Sequence, residues 1–394
     1  MRILLVGGNV LDSQTRASRF GERLCRHLRL RGHLVELILP GAALETKVRA
    51  PLLRGWLAAI DQYVLFPMKL RSVAQGFDVV HVCDHENSTY LAHTGGVPAS
   101  VTCHDVLDIA IAEGRVPEHR GTTSFRTRQK RVLLQNLLEA KNVVCGSWKT
   151  SRELASLGEN DRQRRIVIPD AVEVDAAAIT PDRVAAARRK LGLSEGERYL
   201  LHTGEDRWYR NRPGVLRMFR MIRERSGGGL RLVIAGPPLT RELREFVTAN
   251  LPQGAVIEVH SPPDEDLWAL YAGATALLMP SLYERCAWHI AEAQSCGCPV
   301  ITSNRAPMTE VAGPAALYID PRDEAGAAEA IAAKLDGLGS LRAAGFENAK
   351  RFDPDVVFTD YENFFKGVLR TRRVTDVVVA ANEAETAVED SRGA

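Results

Sequence analysis

The sequence predicts an α/β protein made of two doubly wound domains, and three observations carry that expectation. The chain has 394 residues, and at about 150 residues per domain that length accommodates two. Short apolar runs alternate with helical patterns, which is the signature of βαβ units on a parallel sheet. The alternation then restarts at Tyr199, after the linker-like stretch Asp175–Thr180.

In the first half Arg2–Val6 reads as a buried strand, with Gly7-Gly8 as the tight turn that follows it. Ala17–Arg31 repeats apolar residues at helical spacing and is stopped by Gly32. Leu34–Leu39, Val79–Val82, Val101–His104 and Val143–Cys145 read as further strands, and Val167–Pro169 ends this half. In the second half Tyr199–Thr203 is a strand ending at Gly204, Pro213–Arg225 a helix, and Leu230–Ala235 a strand ending at Gly236-Pro237-Pro238. Ala255–Val259, Ala276–Met279, Val300–Thr302 and Ala316–Ile319 are the remaining strands, with helices at Asp264–Ala272 and Ile290–Cys296. Two doubly wound domains imply a cleft lined by strand ends and helix N-termini. Val48–Gln75, with Trp56, Tyr63 and Phe66 among basic residues, breaks this rhythm and reads as one or two amphipathic helices. Val374–Ala394 has little to bury and reads as an unstructured tail.

Composition excludes several classes. Hydrophobic residues make up 45% and charged residues 25%, as in ordinary globular proteins, and a net charge of +2 gives no reason to expect nucleic acid as partner. The apolar N-terminal run meets Gly7-Gly8 too soon for a secretory signal, and no stretch approaches the roughly 18 to 20 apolar residues that span a bilayer. The seven cysteines include no C-x-x-C pair, so free thiols in a reducing cytoplasm are expected. Asp264-Glu265-Asp266 could pass for a metal-binding D-x-D, but it follows Pro262-Pro263 and precedes Leu267 and Leu270, which reads as helix capping. No metal is expected.

The segment that carries chemistry runs from Pro280 to Pro321. Glu284 lies on a loop after a strand, and Glu292 follows eight positions later, inside a helix that opens near Trp288. A helix N-terminus concentrates free N–H groups and positive potential, which suits a diphosphate. Carboxylates beside such an anion suit sugar hydroxyls, which donate hydrogen bonds to them.

This segment resembles the family 4 retaining glycosyltransferases (glycosyl transferases group 1), whose pattern is P-S-x-x-E-x7-E-A-x-x-C-G-x-P-V. The sequence supplies Pro280, Ser281, Glu284, Glu292, Ala293, Cys296, Gly297, Pro299 and Val300, and Ser303, Glu310 and Gly313 fit the next stretch. Gly7-Gly8 resembles the family's N-terminal glycine loop, Asp78–His81 its D-V-V-H strand, Thr102–Asp105 its H-D strand end, and Ile168–Val172 its linker. Gly204 through Asn211 resembles the loop whose basic residue grips the phosphates, here Arg210.

The resemblance implies the GT-B fold, two Rossmann-like domains facing across a cleft. It divides the chain into an acceptor domain over 1–173, a nucleotide-sugar domain over 174–352, a helix over 353–372 returning to the first domain, and a tail over 373–394. It implies transfer of a hexose from a UDP- or GDP-sugar to an acceptor hydroxyl with retention, in polysaccharide, glycolipid or related synthesis, with the nucleotide-sugar a substrate and no cofactor. Glu284 would contact the donor sugar and Glu292 the ribose. Gly7, Gly8, Gly204, Arg210, Arg285, Cys286, Ala287 and Trp288 would line the donor, and His104 would assist. Two departures bear on this. Arg285-Cys286-Ala287 stands where the family commonly has G-F-G, and Glu205 stands where many members carry arginine, with Arg207, Arg210 or Arg212 left to compensate.

Other readings stay open. His104 is a donor-sugar ligand or a structural histidine beside Asp105; His81, inside an apolar strand, reads as a core histidine, and His85 is undecided. Arg16, Arg19, Arg23, Arg26 and Arg29 make one basic face on the first helix, either simply solvated or a platform for an anionic membrane or a lipid-diphosphate acceptor. The expected location is therefore the cytoplasm, with peripheral contact at the inner face of the membrane through Arg16–Arg31. The rival functions are a silent nucleotide-sugar-binding protein and a GT-B phosphorylase or epimerase.

Overall fold

The computed structural model describes residues 1–8, 16–41, 57–116, 124–158, 160–194 and 196–370. The tail expected at 373–394, and the part of Val48–Gln75 up to and including Trp56, lie outside those residues. The chain divides into two compact units, one of Met1–Pro169 with the chain from Val357 onward, the other of Asp170–Val356.

The first unit is a parallel sheet of β1 (Arg2–Val6), β2 (Leu34–Ile38), β3 (Val79–Val82), β4 (Ala99–Cys103), β5 (Asn142–Cys145) and β6 (Arg164–Val167), in the order β2-β1-β3-β4-β5-β6. Strands covered on both faces read as continuous apolar runs, which is why most of them are legible. The edge strand β6 is not such a run. It is built of Arg164, Arg165, Ile166 and Val167, and the Arg164 guanidinium lies over the ring of Phe364 at 5.6 Å.

Because β1 sits between β2 and β3, the crossovers from β1 to β2 and from β2 to β3 travel in opposite directions. Right-handed connections then put the Arg16–Leu30 helix on one face of the sheet and the Phe66–Ala74 helix on the other. The packing agrees. Phe66, Leu70, Tyr90, Leu133 and Leu137 share a core with Leu4, Val6, Val80 and Val82. On the opposite face Phe20 lies 5.4 Å from Tyr361, and His27 lies 4.6 Å from Phe358, within a helix over 354–370.

His81 is buried on that second face, and both its ring nitrogens are bonded, Nδ1 to Ser100 Oγ at 2.9 Å and Nε2 to Thr102 Oγ1 at 3.0 Å. Thr102 in turn meets the Tyr361 hydroxyl at 3.0 Å. The core reading of His81 is the right one.

The second unit is another parallel sheet, of β7 (Tyr199–Thr203), β8 (Arg231–Gly236), β9 (Val256–His260), β10 (Ala276–Met279), β11 (Val300–Ser303) and β12 (Leu317–Ile319), ordered β12-β11-β10-β7-β8-β9. Apolar clusters cover both of its faces. The capping reading of Asp264-Glu265-Asp266 needs correction. The N-cap is Pro263, the three acids fill the first turn of the Asp264–Gly273 helix, and Glu265 and Asp266 pair with Arg183 and Lys190 of the Pro181–Lys190 helix. Acids there complement the helix dipole. All seven cysteines are free.

Burial holds His81 neutral, its pKa lowered to about 3, and the nearby His104 pushes the same way. In the second unit burial lowers His202 to about 3 as well, against the effect of its bond to the Leu278 carbonyl. Unfolded histidines take up protons near pH ~6.5 while these do so only near 3, so stability falls as pH drops through that window. Denaturant unfolding between about pH 7 and pH 4 should show wild type losing up to ~1.4 kcal/mol per pH unit more than His81→Gln. Parallel curves would mean that the folded ring accepts the proton.

Candidate active site

In the second sheet the chain runs β7, β8, β9 in one direction and returns to place β10 on the other side of β7. Connections therefore diverge outside the carboxyl ends of β7 and β10, the place where open α/β sheets bind ligands. The Gly204–Asn211 loop leaves β7 there, and the Pro280–Ala287 loop leaves β10.

Close packing holds these loops. Gly204 has φ +112°, and a Cβ on it would lie 3.2 Å from both Arg210 Cζ and His289 Nε2. The Leu282 amide donates to the Tyr209 carbonyl at 2.8 Å, and Asn211 Nδ2 to the Pro280 carbonyl at 3.1 Å. Asn211 caps the Arg212–Arg225 helix in the left-handed region, at φ 58°, which asparagine tolerates better than most residues. The buried Arg212 donates to the carbonyls of Pro237 at 3.0 Å and Gly204 at 2.9 Å.

Glu284 is 1% exposed, yet its carboxylate is matched. Arg210 Nη1 lies 2.8 Å from Oε1, and the Ser281 hydroxyl donates to the same oxygen at 2.7 Å. Arg210 is itself buried, and its Nε has no hydrogen-bond partner among the described residues. A buried N–H left without an acceptor is costly, so the position favours an incoming anion. The choice among three arginines is thereby narrowed. Arg207 pairs on the surface with Glu205 at 2.9 Å, Arg212 serves two carbonyls, and Arg210 is the one joined to Glu284.

Glu292 projects from the Trp288–Ser295 helix and is also buried. The Tyr271 hydroxyl donates to its Oε2 at 3.2 Å and meets Thr203 Oγ1 at 3.1 Å. Burial, with the charge of Glu292 second, raises the Tyr271 pKa well above the phenol range, so the hydroxyl keeps its proton. Since a carboxylate only accepts, Tyr271 donates to Glu292 and accepts from Thr203. His289 Nδ1 stands 3.8 Å from the same Oε2, and the His289 ring centroid lies 3.4 Å from that of Trp288.

The helix begins at Ala287, whose φ is 51°, and no side chain caps it. Of the three residues that replace G-F-G, Ala287 is 1% exposed and its methyl belongs to the hydrophobic core of this unit. Arg285 is exposed and Cys286 half-buried. The Ala287 methyl is therefore not an obstruction at the loop surface.

In the first unit Gly7, Gly8 and His104 stand just past the carboxyl ends of β1 and β4. The Gly7 amide donates to the Ile38 carbonyl at 2.9 Å, the buried Asn87 amide donates to the Gly7 carbonyl at 2.9 Å, and a Cβ on Gly7 would meet Leu39 at 2.5 Å. His104 Nε2 bonds the Cys83 carbonyl at 3.0 Å, which places a proton on that nitrogen, and its ring meets Phe20 edge-on at 5.2 Å. Asp105 caps the next turn by accepting from the Leu107 amide at 2.9 Å. His85 is buried beside Asp84, Nδ1 to Oδ1 3.1 Å. Burial would lower its pKa, but the bond and charge of Asp84 win and raise it.

Sequence reasoning missed Tyr271, Thr203 and His289. Tyr271 sits in a run of apolar helix residues with nothing to mark its hydroxyl. The one available signal for His289 was its place beside Trp288.

Two family models match the chain, "Glycosyltransferase Family 4" over residues 17–176 and "Glycosyl transferases group 1" over residues 184–352. The chain belongs to the family 4 glycosyltransferases, group 1, and its fold is GT-B. An O-antigen chain mannosyltransferase B of Escherichia coli is 28% identical over 279 residues, 68% of this chain and 70% of that protein. A D-inositol 3-phosphate glycosyltransferase of Nocardia farcinica is 28% identical over 261 residues, 63% of this chain and 56% of that relative, so the match spans little more than half of it. Among solved structures, the Anabaena protein HepE in complex with UDP and glucose superposes with a TM-score of 0.69 at 16% identity, covering 93% of this chain and 100% of that one.

Replacing Tyr271 by Phe leaves Glu292 one donor short inside the protein. Tyr271→Phe should lower unfolding stability by ~1–3 kcal/mol, and a double-mutant cycle with Glu292→Gln should show that the two losses are not additive. Additive losses would mean that the hydroxyl and carboxylate do not act together.

Proposed function

We propose that this chain is a retaining hexosyltransferase that moves a sugar from a UDP- or GDP-sugar to an acceptor hydroxyl. The observation that carries the reading is the buried Arg210–Glu284 pair at the carboxyl edge of the second sheet, beside the uncapped Trp288–Ser295 helix. Arg210 and the helix amides bind the diphosphate and stabilise it as it departs, so no metal is invoked. Glu284 accepts hydrogen bonds from the transferred sugar, and Glu292, held by Tyr271, accepts them from the ribose. Gly7 and Gly8 give the donor and acceptor room, and His104 bonds sugar hydroxyls. The Gly204 backbone and the Arg285–Trp288 loop line the donor.

In the reaction the bond from the anomeric carbon to the diphosphate oxygen breaks, and the bond to the acceptor oxygen forms on the same face. The acceptor proton leaves with the diphosphate. Support for a hexose and a nucleotide donor comes from the mannosyltransferase relative and the UDP-bound Anabaena structure. The two named relatives point to polysaccharide or small-molecule hydroxyl acceptors, as in surface-glycan or glycoconjugate synthesis.

Glu284→Gln keeps the shape of the side chain and removes its charge. We expect transfer to fall by ~100-fold or more while UDP or GDP still binds. Arg210→Gln should weaken binding of the free nucleoside diphosphate, measured by calorimetry, by at least ~tenfold, as expected for loss of a charge-assisted bond. Full activity in a folded Glu284→Gln protein would remove that residue from the site, and unchanged affinity in the second variant would defeat the phosphate clamp.

A further inference from the structure

Among the described residues, eleven large apolar side chains are exposed, and five of them, Ile60, Tyr63, Val64, Leu65 and Met68, fall within nine consecutive positions. Met68 is 68% and Tyr63 58% exposed. Clustering of this kind on an otherwise well-packed unit marks a contact surface. The inner face of this segment is already satisfied by the unit's own core. Phe66, Leu70 and Ala74 are buried, Phe66 packs on Tyr90 at 4.7 Å, and the Tyr90 hydroxyl donates to the Gln62 carbonyl at 3.2 Å. A π-helical turn at Asp61–Leu65 presents Tyr63, Val64 and Leu65 outward together.

Within this segment the exposed charges are basic, and the acids Glu86, Asp108 and Glu113 on the neighbouring elements are paired with Lys130 and Arg131. Beyond Met68 the outward positions become Lys69 and Arg71, and the acid of the segment, Asp61, is buried. The Ser124–Glu139 helix lies on the same face of the sheet, through Leu133 and Leu137, and exposes Arg126 and Arg128. Both helices descend to the amino end of the following strand, Ala74 toward Val79 and Glu139 toward Asn142. Their first halves, with the apolar row and these arginines, therefore lie toward the carboxyl edge, where Gly7-Gly8 and His104 stand.

We propose that this face of the first unit docks on an anionic phospholipid bilayer. Tyr63, Val64 and Met68 enter the boundary between headgroups and acyl chains, and Lys69, Arg71, Arg126 and Arg128 meet the headgroups. The contact is peripheral, since no helix among the described residues is long and apolar enough to cross a membrane. It is a different surface from the basic Arg16–Arg31 helix. That helix is on the opposite face and, apart from Leu30 at its end, turns its large apolar residues Phe20, Leu24 and Leu28 inward. The proposal does not rest on the reading of the donor site.

Co-sedimentation of the full chain with vesicles tests it. The protein should pellet with mixed phosphatidylglycerol and phosphatidylcholine, and much less with phosphatidylcholine alone or at high salt. The triple variant Tyr63→Ser, Val64→Ser, Met68→Ser should lose at least ~tenfold in vesicle affinity, and Arg126→Glu with Arg128→Glu should lose the preference for anionic lipid. Nucleotide binding and thermal unfolding of these variants serve as the check that they are folded. Equal vesicle binding by the triple variant, or none by wild type, overturns the proposal. So does self-association in the ultracentrifuge that the serine substitutions abolish, which would make a second copy the occupant.

Discussion

Arg210 and Glu284 can be buried only together. An isolated charge inside a protein costs several kcal/mol, and breaking a buried pair by removing one partner typically costs ~3–5 kcal/mol. The loops after β7 and β10 are therefore bound to one another by electrostatics as well as by backbone bonds, from Leu282 to Tyr209 and from Asn211 to Pro280. Much of the local sequence serves that meeting. Gly204 lacks the side chain that would strike Arg210 and His289, Asn211 takes the left-handed turn, and Arg212 bonds the carbonyls of Gly204 and Pro237. Ser281 also donates to the carboxylate.

The second carboxylate is held by a different device. Glu292 receives its bond from a phenol that is kept protonated by burial and is itself supplied by Thr203 at the end of β7. Glu284 is matched by a full charge, while Glu292 accepts from a neutral phenol. Two acids of the same motif are thus held by different partners. Their common origin is the switch point of the sheet, which brings a loop of β7 against the loop and helix that follow β10. The first unit repeats the topology with β1 and β3, and among its buried polar groups His81 bonds two hydroxyls and His104 a carbonyl.

Most strands of both sheets were legible because a parallel strand covered on both faces is a short apolar run closed by glycine or proline. Strand β6 was not, since an edge tolerates Arg164 and Arg165 and so carries no apolar run. The motif glutamates were legible through their flanks, and Arg210 through its loop. Tyr271 was hidden because a tyrosine in an apolar helix looks like any other core aromatic. The sequence showed Arg285-Cys286-Ala287 in place of G-F-G, but the packing of the Ala287 methyl into the core was not readable there. Tyr63 and Phe66 looked alike in sequence, yet Tyr63, inside a π turn, faces out and Phe66, just after it, faces in.

The sequence by itself determined the class of the protein, the alternation of elements, the family and the pair of acids, because each is carried by residue type and spacing along the chain. The tertiary structure alone decided which arginine meets Glu284, which hydroxyl aims Glu292, and which face of the first sheet carries the exposed apolar row. Those are contacts between segments distant in sequence, Arg210 with Glu284 and Tyr271 with both Thr203 and Glu292. Strand order and the handedness of the crossovers set them, and neither is written in local residue pattern.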